Sequence, residues 1–226
     1  MTDDRTHRII GILSDSFFPI LKAGLYYTIP LTLITFVLGI LLAFFTAIAR
    51  LSGFRPLVAL AKFYVWIFRG TPLLVQIFIL FYGFPSIGIT LDPFPAAVIA
   101  FTLNTGAYSY EIIRAAILSI PKGQWEAAAS ISMTKAQAMR RIILPQAIRV
   151  SIPPLGNSFI SLVKDTSLAA TITVTELFQK GQEIASVTYE PLWLYIEVAF
   201  IYLLFSTVLS FLQSRLERRY DRSVAK

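Results

Sequence analysis

The sequence predicts an all-α membrane protein of about five transmembrane helices, with the N-terminus outside and the C-terminus inside. Three observations carry this. Of 226 residues, 56% are hydrophobic and only 15% are charged, against about 25% charged in a typical soluble domain; mean hydropathy is +0.68. Long uncharged stretches recur along the chain, and about 20 apolar residues cross the hydrocarbon core as a helix. Finally, Lys and Arg crowd alternate connections, which fixes an orientation.

The elements follow in order. Residues 1–23 read as an external, interfacial helix leading into the membrane, because Ile9, Ile10, Leu13, Phe17, Ile20 and Leu21 recur at helical spacing. Mixed acidic and basic residues in MTDDRTHR, and Asp15 and Lys22 in the stretch that follows, make it a poor secretory signal. The first span lies within 24–49, where no charge occurs. Pro30 is tolerated near its start, since neighbouring helices can satisfy the carbonyl it frees. The second span lies in 70–91 and ends near Gly83 or Phe84, or starts as early as Leu57 if Lys62 snorkels. PSIGITLDPFP at 85–95 is a turn-rich loop. The third span is 96–118, the fourth 152–174 with Lys164 and Asp165 in its middle, and the fifth 192–212, with a polar loop at 176–190 before it. A basic tail, 216–226, closes the chain on the inner side.

Connections after the first, third and fifth spans carry Arg50 and Arg55, then Lys122, Lys135, Arg140, Arg141 and Arg149, then Arg215, Arg218, Arg219, Arg222 and Lys226. The opposite loops hold only Lys180. The positive-inside rule therefore puts 124–145 in the cytoplasm. The net charge of +7 is then accounted for by topology and is no sign of nucleic acid. Cysteine is absent and His7 is the single histidine, which excludes thiolate metal sites and a His-based dyad. No catalytic or metal-binding residues are assigned.

The segment 124–145, QWEAAASISMTKAQAMRRIILP, is polar, basic and helix-forming between apolar runs. Alanine favours helix over 126–131, and Thr134 with Gln137 has the spacing of a capping box. Two short helices with a turn at Ser132–Met133 follow, the second disrupted at Pro145. Trp125, Ile131, Met133, Met139 and Ile142 would give the pair apolar faces for another protein.

These residues carry a resemblance. Glu126, Ala127 and Ala128, a small residue at Ser132, and Ile142, Leu144 and Pro145 resemble the EAA loop of permease subunits of bacterial ABC importers. RGTP at 69–72, PKGQW at 121–125 and LVKDTSLAA at 162–170 are similar to the polar amino acid branch, with 104–170 most like cystine and diaminopimelate permeases. The family's loop glycine is Ser132 here. The resemblance covers about residues 24–215. It implies a type I importer transmembrane domain with a coupling loop at 121–149, no catalysis of its own, and ATP and Mg bound by a partner ATPase. It further implies an ATPase subunit pair, a second permease (identical or a paralogue), an external solute-binding protein and an amino acid substrate, in a bacterial inner membrane. No phosphate-binding G-x-x-x-x-G-K-[ST] occurs in the chain.

Charge within a span marks a candidate site. Asn104, Tyr108 and Glu111 share one helix face, and Asn157, Ser161 and Lys164 another, with Ser158 and Asp165 about a quarter turn away. Glu111 can instead pair with Arg114 at i,i+3. Lys164 and Asp165 diverge by about 100° and each needs another partner, either a fixed ion pair or the two charges of an amino acid. Gln76 fits a helix–helix hydrogen bond and Glu197 an interfacial position. An ion-coupled secondary transporter, which would use Glu111 and Asp165, and a non-transporting membrane scaffold remain alternatives at this point.

Overall fold

The computed structural model describes the backbone of residues 2–221 and the side chains of residues 4–218; the last five residues of the expected basic tail lie outside the described residues. Every regular element among those described is helical. Helix α1 (Thr2–Ala23) passes through one π-helical turn, Gly24–Thr28, into α2 (Ile29–Leu51) without a loop. The expected interfacial helix and first span are thus one helix. The wide turn has a cause in Pro30, whose ring would clash with the carbonyl four residues back; here the Ile29 N–H reaches past it to the Gly24 carbonyl. The hydroxyls of Thr32, Thr35 and Thr46 donate to the carbonyls of Thr28, Leu31 and Leu42 at 2.7–2.8 Å, so these buried polar groups of α2 are satisfied within the helix, as a lipid environment demands.

The second span is broken. Helix α3 (Arg55–Gly70) and the segment beginning with α4 (Leu73–Phe78) meet at 107°. Pro72 is the reason: it has no N–H for the Phe68 carbonyl and disfavours helix at Thr71. After a π-helical turn (Ile79–Gly83) and a 3-10 turn (Phe84–Ile87), Gly88 in the left-handed region (φ 83°) ends the segment. Helix α5 (Pro93–Leu118) fulfils the third span, one turn longer than expected. It crosses α2 closely at Gly39, where an added Cβ would lie 2.7 Å from Thr105 Cγ2 and 3.2 Å from the Gly106 nitrogen. Small residues permit such approaches between spanning helices.

Helix α6 (Lys122–Ser130) ends in a Schellman motif. The Met133 N–H bonds the Ala128 carbonyl at 3.1 Å, the Ser132 N–H bonds the Ala129 carbonyl at 2.9 Å, and Ser132 is left-handed at φ 58°. The glycine expected there is replaced, but its conformation is kept. Removing the Cβ in Ser132→Gly should therefore stabilise the turn by about 1 kcal/mol, read as a raised thermal midpoint of the purified complex. The capping box forms as its spacing predicts: the Gln137 N–H donates to Thr134 Oγ1 at 3.2 Å, and the Thr134 N–H to Gln137 Oε1 at 2.9 Å.

Pro145 does not break the next helix. Helix α7 (Lys135–Ala138) passes through a π-helical turn, Met139–Ile143, into α8 (Leu144–Asp165). The extra residue in that turn lets the Leu144 N–H bond the Met139 carbonyl and moves the proline ring clear. The fourth span thus starts at Leu144 rather than 152 and ends at Asp165, followed by a 3-10 turn, Thr166–Ile172. Lys164 and Asp165 stand at its end, not its middle. The expected polar loop 176–190 is mostly helix α9 (Leu177–Thr188), and α10 (Pro191–Asp221) follows.

By length and apolarity, 4–51 and 191–218 qualify as spans, and the bent pair around Pro72 qualifies as a third when its two arms are counted together. Helices α5 and α8 carry the polar residues that keep them below that standard. Both pack inside the bundle, where Leu31, Ile77, Ala97, Phe101, Leu162 and Ile172 form one apolar core. A second core joins Ile20 of α1 to Leu177, Leu194, Val198 and Ile201, so α1 is covered by α9 and α10 along that face.

Candidate functional site

Two regions collect the candidate residues. The first is the loop between α5 and α8. Its apolar side chains are not all available for a partner. Trp125, Met139 and Ile142 pack on Ala116, Ile120, Ile143 and Ala147 of the same chain, and Ala128 is 1% exposed. This corrects the expectation of five outward-facing apolar residues. Leu144 is half-buried, while Glu126, Ala127, Ser132 and Pro145 are exposed and Ile131 is 70% exposed. The inward residues pack α6 against the ends of α5 and α8; the others form an outward-facing rim. The Glu126 side chain forms no hydrogen bond or ion pair among the described residues.

The second region is a cavity of about 410 Å³ lined by Thr71, Asn104, Tyr108, Ser158, Ser161 and Asp165 with apolar neighbours including Leu162 and Leu168. It opens beside the break at Pro72. Three carbonyls there, of Ile67, Phe68 and Thr71, are served by side chains. The Phe68 carbonyl accepts from Gln76 Nε2 at 3.1 Å and Asn104 Nδ2 at 3.2 Å. Gln76 Nε2 also lies 3.1 Å from the Thr71 carbonyl and 2.9 Å from Thr71 Oγ1, whose own hydroxyl donates to the Ile67 carbonyl at 2.8 Å. Asn104 completes the set by donating to Gln76 Oε1 at 3.1 Å. Gln76 is thus the interhelical hydrogen bonder that its position suggested, and Asn104 shares that work while its residue lines the cavity.

Five of the seven cavity candidates, Asn104, Tyr108, Ser158, Ser161 and Asp165, meet here. Glu111 and Lys164 are not in this lining. Glu111 lies 2.8 Å from Arg114 and 3.8 Å from Arg69, so the i,i+3 pair forms. Arg69 in turn stands over the Tyr108 ring at 5.6 Å. On α8 the cavity face is Ser158, Ser161, Leu162 and Asp165, about a quarter turn from the stripe of Asn157, Ser161 and Lys164. Asn157 instead accepts from Gln213 Nε2 of α10 at 3.0 Å. Gly156 lets Gln213 approach, since a Cβ there would come within 2.6 Å of its Cδ. Neither Lys164 nor Asp165 forms a salt bridge among the described residues.

Sequence reasoning missed Glu176, which is 0% exposed. It accepts from Tyr202 OH at 2.7 Å, from the Gln179 N–H at 2.8 Å and from Thr28 Oγ1 at 3.4 Å. It therefore caps α9 and ties it to the start of α2 and to α10. An acidic residue three before a helical N–H is the only local sign of this role. Glu197, expected at the interface, is buried at 8% exposure and accepts from Ser16 Oγ at 2.5 Å.

Comparison with known proteins agrees with this architecture. The family model for the binding-protein-dependent transport system inner membrane component matches residues 36–222. The L-cystine transport system permease protein TcyB of Bacillus subtilis (strain 168) is 59% identical over 216 residues, covering 95% of this chain and 92% of the relative. The L-cystine transport system permease protein TcyL of the same organism is 39% identical, covering 92% of each. The probable glutamine ABC transporter permease protein GlnM, also of B. subtilis, is 39% identical over 95% of this chain and 99% of the relative. Among solved structures, the crystal structure of an amino acid ABC transporter with histidines superposes with a TM-score of 0.87 at 39% identity, covering 90% of this chain and 95% of that one. The chain belongs to the binding-protein-dependent transport system inner membrane components, the permease subunits of ABC transporters.

Proposed function

We propose that this chain is the membrane-spanning subunit of an ATP-driven importer for a polar amino acid, L-cystine or a close relative. The observation that carries it is the polar cavity at the broken helix. One unpaired carboxylate, Asp165, faces hydroxyls and an amide across a gap between α5 and α8, and discontinuous helices bordering a polar cavity are where transporters hold polar substrates. A substrate ammonium would lie against Asp165, while Tyr108, Ser158 and Ser161 would direct its remaining polar groups. The 59% identical relative is named for L-cystine, which favours that substrate over other amino acids.

The rim of Glu126, Ala127, Ser132 and Pro145, backed by Ala128, Ile142 and Leu144, would dock on a cytoplasmic ATPase pair, which supplies ATP and Mg binding. Because α7 continues into α8, displacement of the loop would be passed along one helix to Asp165. A second permease subunit and an external solute-binding protein complete the importer. The N-terminus then lies outside and the C-terminus inside a bacterial inner membrane, and ATP shifts the balance between outward- and inward-open states.

Uptake of labelled cystine into proteoliposomes holding the complex should require ATP; uptake driven by an ion gradient without ATP would overturn the proposal. Replacing Asp165 by Asn removes the charge with little change in shape. Loss of a charge-assisted hydrogen bond, about 1.5–3 kcal/mol, should raise KM for uptake about ten- to a hundredfold, with ATPase docking unchanged. An unaltered uptake profile would remove Asp165 from the substrate path.

A further inference from the structure

A second cleft, of about 450 Å³, lies between the end of α2, α3 and α5, and it is lined by Arg50, Lys62 and Arg69 with Trp66, Tyr110 and Glu111. Its charges do not balance. Glu111 is the only carboxylate in the lining and is already held by Arg69 at 3.8 Å and Arg114 at 2.8 Å. Arg50 is directed into the cleft by a neutral partner, donating from Nε to Tyr110 OH at 3.0 Å. Lys62 forms no salt bridge among the described residues. Cations on a helix that meets lipid are expensive without a counter-charge, and basic pockets between spanning helices take up anionic headgroups.

We propose that this cleft binds a phosphate group, the headgroup of an anionic phospholipid. A free phosphate ion would offer the same charge, but the surroundings favour the lipid. Leu60, Phe63 and Trp66 of α3 are 63%, 55% and 71% exposed, on the same helix as Lys62 and Arg69. They provide a track for acyl chains beside the cations, and an exposed tryptophan suits headgroup depth. Lys62 and Arg69 are seven residues apart, about 10 Å along α3, a length that a glycerophosphate headgroup and its ester region can fill. Arg50 would close the polar end, and Tyr110, 4% exposed, holds that guanidinium in place.

The test is native mass spectrometry and lipid titration of the permease purified with its partner subunits, using phosphatidylglycerol, phosphatidylcholine and inorganic phosphate as probes. Phosphatidylglycerol should be retained and phosphatidylcholine lost. Lys62→Ala and Arg50→Gln should each weaken retention about fivefold, the worth of one cation near a headgroup. Lys62 is exposed, so its replacement leaves the fold intact, and thermal midpoints of both variants serve as controls. Equal retention of the two lipids, or unchanged affinity in both variants, would overturn the proposal. Displacement of the lipid by excess inorganic phosphate would assign the cleft to a free anion and overturn the lipid assignment. A change in permease stoichiometry in place of lipid loss would show that a second copy of the chain covers this face.

Discussion

Glu126→Lys is expected to abolish ATP-driven uptake while leaving the helices folded. Glu126 is exposed on α6 and its carboxylate has no partner within the described residues, so the substitution breaks nothing inside the chain. If that carboxylate meets the ATPase, reversal puts like charges in contact, which costs several kcal/mol and weakens docking by about 100-fold or more. Two outcomes agree with this: the ATPase subunits fail to copurify, or they copurify and hydrolyse ATP without transport. Circular dichroism should be unchanged in either case. Wild-type uptake by the variant would show that the loop does not couple through this residue.

Glu176→Ala should produce the largest loss of stability. The side chain is buried and serves Tyr202, Thr28 and the Gln179 N–H together, and the Leu177 N–H leans on Thr28 Oγ1 at 3.2 Å in the same cluster. Truncation leaves the buried Thr28 hydroxyl and the half-buried Tyr202 hydroxyl and Gln179 N–H without this acceptor, and an unsatisfied buried donor costs about 1–3 kcal/mol. A loss of about 3 kcal/mol or more is expected, seen as a lower thermal midpoint and as faster proteolysis around α9. Glu176→Gln keeps an acceptor oxygen, so its loss should be much smaller. Equal stability of Glu176→Ala and the wild type would show that α9 is held by its apolar contacts alone.

The features legible in the sequence are those governed by neighbours in the chain. The capping box at Thr134 and Gln137 depends on one turn of backbone, and it forms as its spacing predicts. The turn at Ser132 likewise needs only six residues. The i,i+3 pair of Glu111 and Arg114 is a property of one helix. Proline was the least reliable local signal. Pro72 breaks a span by 107°, whereas Pro30 and Pro145 are absorbed by π-helical turns and Pro153 and Pro154 lie inside α8. The same ring chemistry gives different outcomes because what surrounds the freed carbonyl decides its cost. At Phe68 that help comes from Gln76 and Asn104, and Asn104 lies far along the chain.

The sequence by itself thus determined a helical membrane chain, most of its helical segments, and the cap and turn of the loop between α5 and α8. Apolar run length, helix periodicity and capping are short-range, so one strand of text suffices to read them. Only the tertiary structure decided which polar residues meet. On α8, Ser158 and Asp165 face the cavity, while Asn157 turns to Gln213 of α10 and Lys164 lies outside the cavity lining. The clamp of Glu176 on Thr28 and Tyr202 joins three segments distant in sequence. Such contacts depend on the rotation of each helix about its axis, and that rotation is set by packing of the whole bundle.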